Sequence, residues 1–382
     1  MPTYAVGSKT GLAYVAETVF GTPPSPAAMK PIRAKFGSKF ELKRDTFSSK
    51  EVSATRQVMG MTYGNRSGSG SLPIEFSAGS FDDFLEATTG GAWATNILKI
   101  GNANRSFTIE DQTNEISVYE QNLGVVFTGF SLGVKPNAIV EGSFDFLFKD
   151  QRAVQSVLGA TTLAMTATTA TRSAGSFVTD GFVAGDTVVF GGVTAPLTNT
   201  GPFIISNVAA LVLTFTAGSA VVQTAIPNCT ASIGPLSSGT GGSLAAASTT
   251  TPFDSFTGSI TEGGTVIAYV TGLDLKLAVA SQANNVVFQP TAQSITMGQA
   301  VVTGTLTAYF LNQALKLKFI NGTATSLLFT LGSGSPSYTF SMANVKYTSH
   351  TRDDQENAII ENIGFSALYD ATDSTLKITR VP

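Results

Sequence analysis

Short alternations of apolar and polar residues dominate this chain. Residues 64–76, GNRSGSGSLPIEF, place Leu72, Ile74 and Phe76 on one face and Ser69, Ser71 and Glu75 on the other. That two-residue period is the mark of a half-buried strand. Residues 298–310, GQAVVTGTLTAYF, alternate in the same way, with Leu306, Ala308 and Phe310 opposite Thr303, Thr305 and Thr307. Each strand is followed by a short stretch of helical spacing, SFDDFLEATTGG and NQALKLKFINGT. Phe81 and Leu85, and then Leu315 and Phe319, lie one turn apart and predict a helix packing one face onto a sheet. Long amphipathic helical patterns are nearly absent. Val-, Thr- and Phe-rich runs broken by frequent turn residues predict a mainly β protein.

The two segments are copies of one unit. Gly64 and Gly298, Gly70 and Gly304, Leu72 and Leu306, and Phe76 and Phe310 match at one constant offset, which Phe81/Leu315 and Leu85/Phe319 share. Further along, NAIVE (137–141) recurs as NAIIE (357–361) at a shorter offset. Adding one residue after it matches Phe144, Phe146 and Phe148 with Phe365, Ala367 and Tyr369, which predicts a β-bulge in the second copy. Upstream, KFELKRD (39–45) corresponds to GLDLKLA (272–278). Several matches in one order, each in the same structural setting, mean duplication.

Between the copies the composition shifts. From about 160 to 250 the only charged residues are Arg172, Asp180 and Asp186. SFVTDGFVAGDTVVFGG, PFIISNV and ALVLTFTAG read as short strands with tight turns, forming a small independent β-barrel or sandwich. PLSSGTGGSLAAASTTTP after it, including GTGGS at 239–243, reads as flexible chain. The expected organisation is an N-terminal arm and first unit (1–158), an inserted domain with its linker (159–250), and a second unit (251–382).

Chemistry is conspicuously thin. The net charge is −3, and no basic stripe suits nucleic acid. One cysteine, Cys229, permits no internal disulfide framework. The N-terminal residues show no signal-peptide pattern and no apolar run approaches the ~20 residues of a membrane helix, so synthesis in a cytoplasm is expected. The single histidine, His350, falls in SHTRDDQEN and reads as a solvated loop residue, which leaves no basis for a zinc site or a Ser-His-Asp arrangement. No Walker loop or dinucleotide fingerprint occurs, so no catalytic residue, metal or cofactor is expected.

Three strings carry a resemblance: AYVAETVFGTPPSPAAMKPIR (13–33), KFELKRDTFSSKEVSATRQV (39–58) and GSGSLPIEFSAGSFDDFLEATTGGAW (68–93). Together with FTGSITEGGTVIAYVTGLDLKL, VTGTLTAYF, SLLFTL, SYTFSMANVKYT and FSALYD, they resemble the major tail-tube proteins of long-tailed, siphovirus-type phages over most of the chain. The resemblance implies two tandem tail-tube-type β-sandwich units, each with a short flanking helix. It implies a structural virion protein, made in the host cytoplasm, whose rings stack into a hollow conduit for DNA ejection. Most single-unit relatives are hexameric, so the resemblance favours a trimer of the duplicated chain, closing a pseudo-sixfold ring, over a hexamer. Implied partners are copies of itself, a tape-measure protein, tail terminator and tip proteins, and DNA in passage, with no membrane.

Within that frame the polar faces (Ser69, Ser71, Glu75, Thr303, Thr305, Thr307) are either the wall of the lumen or an ordinary solvated outer sheet. A wall poor in Lys and Arg suits a moving polyanion, because each phosphate contact adds sequence-independent affinity. The polar connection 44–67 is too long for a hairpin turn and is expected to reach the adjacent ring, through Glu51, Arg56, Met59, Met61 and Tyr63, with 278–298 as its counterpart. FGTPPSP (20–26) is expected to be irregular and to wrap a neighbour or lead in loosely, and the inserted domain to lie outside the tube. A secreted β-repeat adhesin or surface-layer protein is the alternative. It calls for a signal peptide, Ca²⁺-binding Asp clusters or an anchor.

Overall fold

Alternation produces strands almost throughout. The computed structural model describes residues 5–24, 27–51, 55, 57–116, 118–154, 161–192, 199, 201–216, 220–237, 242–354 and 358–382. The first part of the chain forms β1 (Thr10–Ala16), β2 (Ala27–Pro31), β3 (Lys39–Ser48), β4 (Met61–Glu75), α1 (Asp82–Thr89), β5 (Ile97–Lys99), β6 (Phe107–Thr113), β7 (Val118–Val134), β8 (Glu141–Phe148) and β9 (Asp150–Val154). Then come β10 (Thr161–Met165), β11 (Thr169–Arg172), β12 (Thr187–Gly192), β13 (Phe203–Val208), β14 (Val212–Phe215), β15 (Gln223–Ile233) and β16 (Gly242–Leu244). The last part carries β17 (Gly258–Glu262), β18 (Thr265–Val266), β19 (Val270–Asn284), β20 (Ser294–Tyr309), α2 (Ala314–Asn321), β21 (Thr325–Leu331), β22 (Ser337–Asp354), β23 (Ile359–Ala367) and β24 (Lys377–Val381).

Two compact units result. The first comprises Met1–Ile32, Ser106–Val125 and Lys149–Ala247. Here β1 pairs with β2 and β6, β6 pairs with the N-terminal part of β7, and that part pairs with β9. The Glu17 carboxylate ties the strand ends together, accepting from Gly21 N, Ser106 Oγ, Thr108 Oγ1 and Gly124 N at 2.7–2.9 Å. FGTPPSP is irregular over its described residues, as expected, with Ser25 and Pro26 lying outside them, and β1 and β2 on either side pair within their own chain. One expectation changes at this point. Gly242–Leu244, read as flexible, is a strand parallel to β2, where a Cβ on Gly242 would meet the Leu236 carbonyl oxygen at 1.8 Å. The close approach demands glycine.

The inserted segment closes as a six-stranded barrel in the order β10-β11-β14-β13-β12-β15. Phe177, Phe182, Phe190, Phe203 and Phe215 fill it, with Leu163, Leu213 and the buried thiol of Cys229. Its sparse charges are matched: Arg172 with Asp180, and Asp186 with Arg152 at 2.7 Å. Burial pushes the Asp186 carboxyl above the usual range, although Arg152 pulls the other way.

The second unit comprises Arg33–Arg105, Val126–Phe148 and Ser248–Pro382. Its main sheet runs β3-β4-β8-β7-β19-β20-β23-β22, antiparallel throughout, using Val126–Val134 of β7 and the C-terminal half of β22. The order β3-β4-β8-β7 is repeated as β19-β20-β23-β22. The duplication extends to irregularities of register. Bulges fall at Arg44/Thr46 and Val279/Ser281, and at Phe127/Gly129 and Tyr347/Ser349. Bulges kept at matching positions are features of the fold and not accidents of one copy.

Registers correct the sequence alignment. Gly70 faces Phe146 and Gly304 faces Phe365, so Phe365 corresponds to Phe146 and not to Phe144, and no bulge interrupts β20–β23. Phe40 faces Gly70 as Leu275 faces Gly304, so KFELKRD aligns two residues later than expected. A two-residue slip preserves the pleat, which is why the sequence pattern did not exclude it.

Phenylalanines form the core beneath this sheet. Phe84 lies 4.5 Å from Phe127, Phe130 4.8 Å from Phe144, and Phe329 4.9 Å from Phe340, ring centre to ring centre. α1 buries Phe84 and Leu85, with Phe81 just before it, and ends on the left-handed Gly90, as α2 ends on Gly322. α2 packs less deeply: Leu315 is buried and Phe319 only half-buried. Where the first copy has phenylalanine, the second carries polar groups. Glu262 accepts from Lys318 Nζ (2.6 Å), Thr325 Oγ1 (2.8 Å) and Tyr347 OH (3.0 Å). Burial, then the Glu262 charge, pushes the Tyr347 phenol up, so it stays a donor.

Candidate assembly surfaces

Three features of the second unit stand out among the described residues: a polar sheet face, two open sheet edges and two hairpins that carry exposed apolar residues. Residues that pair directly share a face. Ser69 and Ser71 face Leu147 and Asp145, Glu75 faces Glu141, and Thr303, Thr305 and Thr307 face Ser366, Gly364 and Asn362. All six predicted polar residues therefore lie on one side of the main sheet, half-buried, opposite Leu72, Ile74, Leu306 and Ala308. Thr307 Oγ1 bonds Asn362 Oδ1 at 2.8 Å along it.

This face is hollowed. One trough of about 720 Å³ is lined by Ser131, Ser143, Glu141, Asp274, Lys276, Thr303 and Thr305, among others. A second, of about 680 Å³, is lined by Lys39, Glu41, Ser69, Ser71 and Asp145. Carboxylates on the face (Glu41, Glu75, Glu141, Asp145, Asp274, Asp353) alternate with ammonium groups (Lys39, Lys43, Lys276, Lys346), while Lys135 lines the first trough and Lys35 pairs with Glu141. The two signs balance across the face, and among the described residues no group of His, Cys, Asp and Glu is placed to hold a metal.

The sheet ends in open edges. Among the described residues β3 pairs only with β4, and the C-terminal half of β22 pairs only with β23. Unpaired N–H and C=O groups along such edges invite another chain.

Both hairpins end in exposed apolar residues. Half of the connection 44–67 is strand, since β3 runs to Ser48 and β4 starts at Met61, with 49–60 between them. Met59, Met61 and Tyr63 are all more than half exposed, Arg44 stacks over the Tyr63 ring at 4.3 Å, and Glu51 is exposed. Arg56 lies outside the described residues. The counterpart between β19 and β20 carries Val286, Val287 and Phe288, the last fully exposed with φ +65°. Sequence reasoning named this loop but not Phe288. The three consecutive apolar residues of NNVVFQP between turn-forming neighbours were the available signal.

His350 departs from expectation. It sits in β22, not in a loop, with its side chain 8% exposed and Nε2 3.2 Å from Glu361 Oε2. SHTRDD (349–354) is polar because it forms an edge strand, and polarity alone does not separate edge strand from loop.

A β-unit repeated within one chain, with open sheet edges among the described residues, suits assembly with further copies. Comparison with known families agrees: the family model of phage tail tube proteins matches residues 7–201 and 205–367, nearly the whole chain. The chain belongs to the phage tail tube protein family. It is a structural component of the virion and not an enzyme, and membership implies self-assembly into a tube and partners in the phage tail. No curated protein matches the chain. No helix among the described residues is long and apolar enough to cross a membrane.

Proposed function

We propose that three copies of this chain close into a pseudo-sixfold ring and that rings stack into the hollow tube of a long, siphovirus-type tail, the conduit for DNA ejection. The observation that carries the reading is the β7–β19 junction, where one four-strand copy continues edge to edge into the next. A chain that already joins two copies this way can join further copies at its two open edges, and closure removes every edge.

The hollowed polar face is the wall of the lumen. Its Ser, Thr and carboxylate side chains offer phosphate few cations, so DNA passes without being held. The hairpin tips reach the adjacent ring, with Glu51, Met59, Tyr63 and Arg56 from the first copy and Phe288 from the second. Division into units 1–158 and 251–382 with an insertion at 159–250 suits this arrangement, the inserted module lying outside the tube where it leaves the conduit open. Tape-measure, terminator and tip proteins are the remaining partners, and the chain is made in the host cytoplasm before joining the virion.

Electron microscopy of the purified protein tests the reading. Hollow tubes with three inserted modules per ring in end-on views are expected. Dispersed monomers or solid fibres would overturn it, and six modules per ring would overturn the trimer.

A further inference from the structure

The junction inside the chain is a template for the junction between chains. In it Asp274 of β19 faces Gly133 of β7, Leu275 faces Leu132, Lys276 faces Ser131 and Leu277 faces Phe130. β3 is the counterpart of β19, and β22 of β7, as fixed by their bulges and by the two glycines that face Phe40 and Leu275. Substituting each counterpart converts the internal register into an external one.

We infer that β22 of one chain adds to β3 of a second copy in a single register, with Asp353 beside Lys39 and Thr351 beside Glu41 on the polar face. This rests on the ring reading above and specifies its seam. On the opposite face Arg352 meets Phe40 and His350 meets Leu42. Chemistry at these positions suits the pairing. Asp353 and Lys39 are opposite in charge and both exposed. The Arg352 guanidinium already lies over the Phe310 ring at 4.8 Å, leaving its other face for a second aromatic ring. Where the internal seam uses Leu132, the external seam uses Arg352, an exposed side chain that tolerates water before assembly.

The same correspondence moves Met61 from the contact between rings to the contact within a ring. Its counterpart is Ile295, and that of Val58 is Ala292. Ile295 and Ala292 are 1% and 3% exposed, on a stretch held by Arg66 N to Pro290 O (2.8 Å) and Asn104 Nδ2 to Ile295 O (2.6 Å). Met61 and Val58 are 54% and 70% exposed. The neighbouring copy covers them, around Ala300, the counterpart of Arg66.

Disulfide trapping tests the register. Tubes of Lys39→Cys/Asp353→Cys should oxidise to a ladder of linked chains ending at a covalent trimer, at least tenfold more than Lys39→Cys/Thr351→Cys or either single variant. Wild-type tubes treated with a carbodiimide, which condenses a carboxylate and an amine to an amide with loss of water, should yield the Asp353–Lys39 cross-linked peptide between isotopically distinct chains. Met61→Glu should leave the folded chain intact by circular dichroism and abolish rings. Tubes in which the shifted pair links, or in which neither the disulfide nor the amide forms, would overturn the register while leaving the ring reading standing. Met61→Glu chains that form rings but not stacks would return Met61 to the inter-ring contact. If the wild-type chain builds no rings, both inferences fall together.

Discussion

Gly70 and Gly304 show how one residue type holds the repeat together. Each sits opposite a phenylalanine, and the ring of that partner lies across the space a side chain would take. A Cβ at Gly70 would meet Phe146 Cζ at 2.4 Å and the Lys39 carbonyl oxygen at 2.2 Å, and one at Gly304 would meet Phe365 Cζ at 2.4 Å and the Asp274 oxygen at 2.2 Å. A ring can tilt away, but a backbone carbonyl in a paired strand cannot do so without breaking the ladder. Gly70→Ala and Gly304→Ala are therefore each expected to lower stability by about 1–3 kcal/mol, the range for overpacking. Denaturant unfolding measures this, and an unchanged midpoint in either variant would refute the account. Both glycines were legible in the sequence as a matched pair. Their reason was not, because the Phe146 and Phe365 partners come from strands whose register only the fold reveals.

Among elements, the long strands β7 and β22 and the two hairpins were the least legible. Polar alternation in RDTFSSK and SHTRDD gives no apolar face to count, so β3 and the end of β22 read as loops. They are edges, and an edge strand awaiting a partner is polar for reasons outside its own chain. Helix faces were better signalled: Leu85 and Leu315 are buried as their spacing predicts, while Phe319 is only partly covered on the shallower α2. The β19–β20 hairpin tip carries a different kind of information. Phe288 combines full exposure with φ +65°, a conformation that costs a bulky residue of order 1–2 kcal/mol. Its fully exposed side chain gains no packing among the described residues to offset that cost, which suits the proposed contact on stacking. Phe288→Gly should therefore act in opposite directions. It should raise the stability of the unassembled chain by up to about 1 kcal/mol and raise the protein concentration needed for tube elongation about tenfold, a change of ~1.4 kcal/mol. Thermal unfolding of the monomer and light scattering of growing tubes read the two effects separately. If both fall together, Phe288 serves the fold and not the stack.

For the whole molecule, the proposed tube turns on what the sheet's polar face would do to a polyanion passing it. Ser69, Ser71, Thr303 and Thr305 occupy the centre of the two four-strand copies, beside Asp145 and Asp274, so in the proposed ring a charge placed there would recur with every copy. The substitutions Thr303→Lys and Thr305→Lys leave the buried positions Val302 and Leu306 untouched, and both side chains line the trough of about 720 Å³. Assembly into tubes should be unchanged. Each added ammonium group that contacts phosphate releases condensed counterions, so the variant tubes should retain double-stranded DNA at low salt and lose it steeply as salt rises, with a log–log slope of about −0.9 per phosphate contacted. Wild-type tubes, in which carboxylates balance the ammonium groups of the face, should retain far less under either condition. Filter retention of DNA by purified tubes across a salt series measures the slope, and ejection from phage carrying the variant measures its consequence as a slowed or stalled release. Were the lysines on the outer wall, DNA would still bind, but only nuclease-accessible DNA would be held and ejection would proceed at the wild-type rate. Protection of the bound DNA from nuclease therefore decides which surface of the sheet the DNA meets.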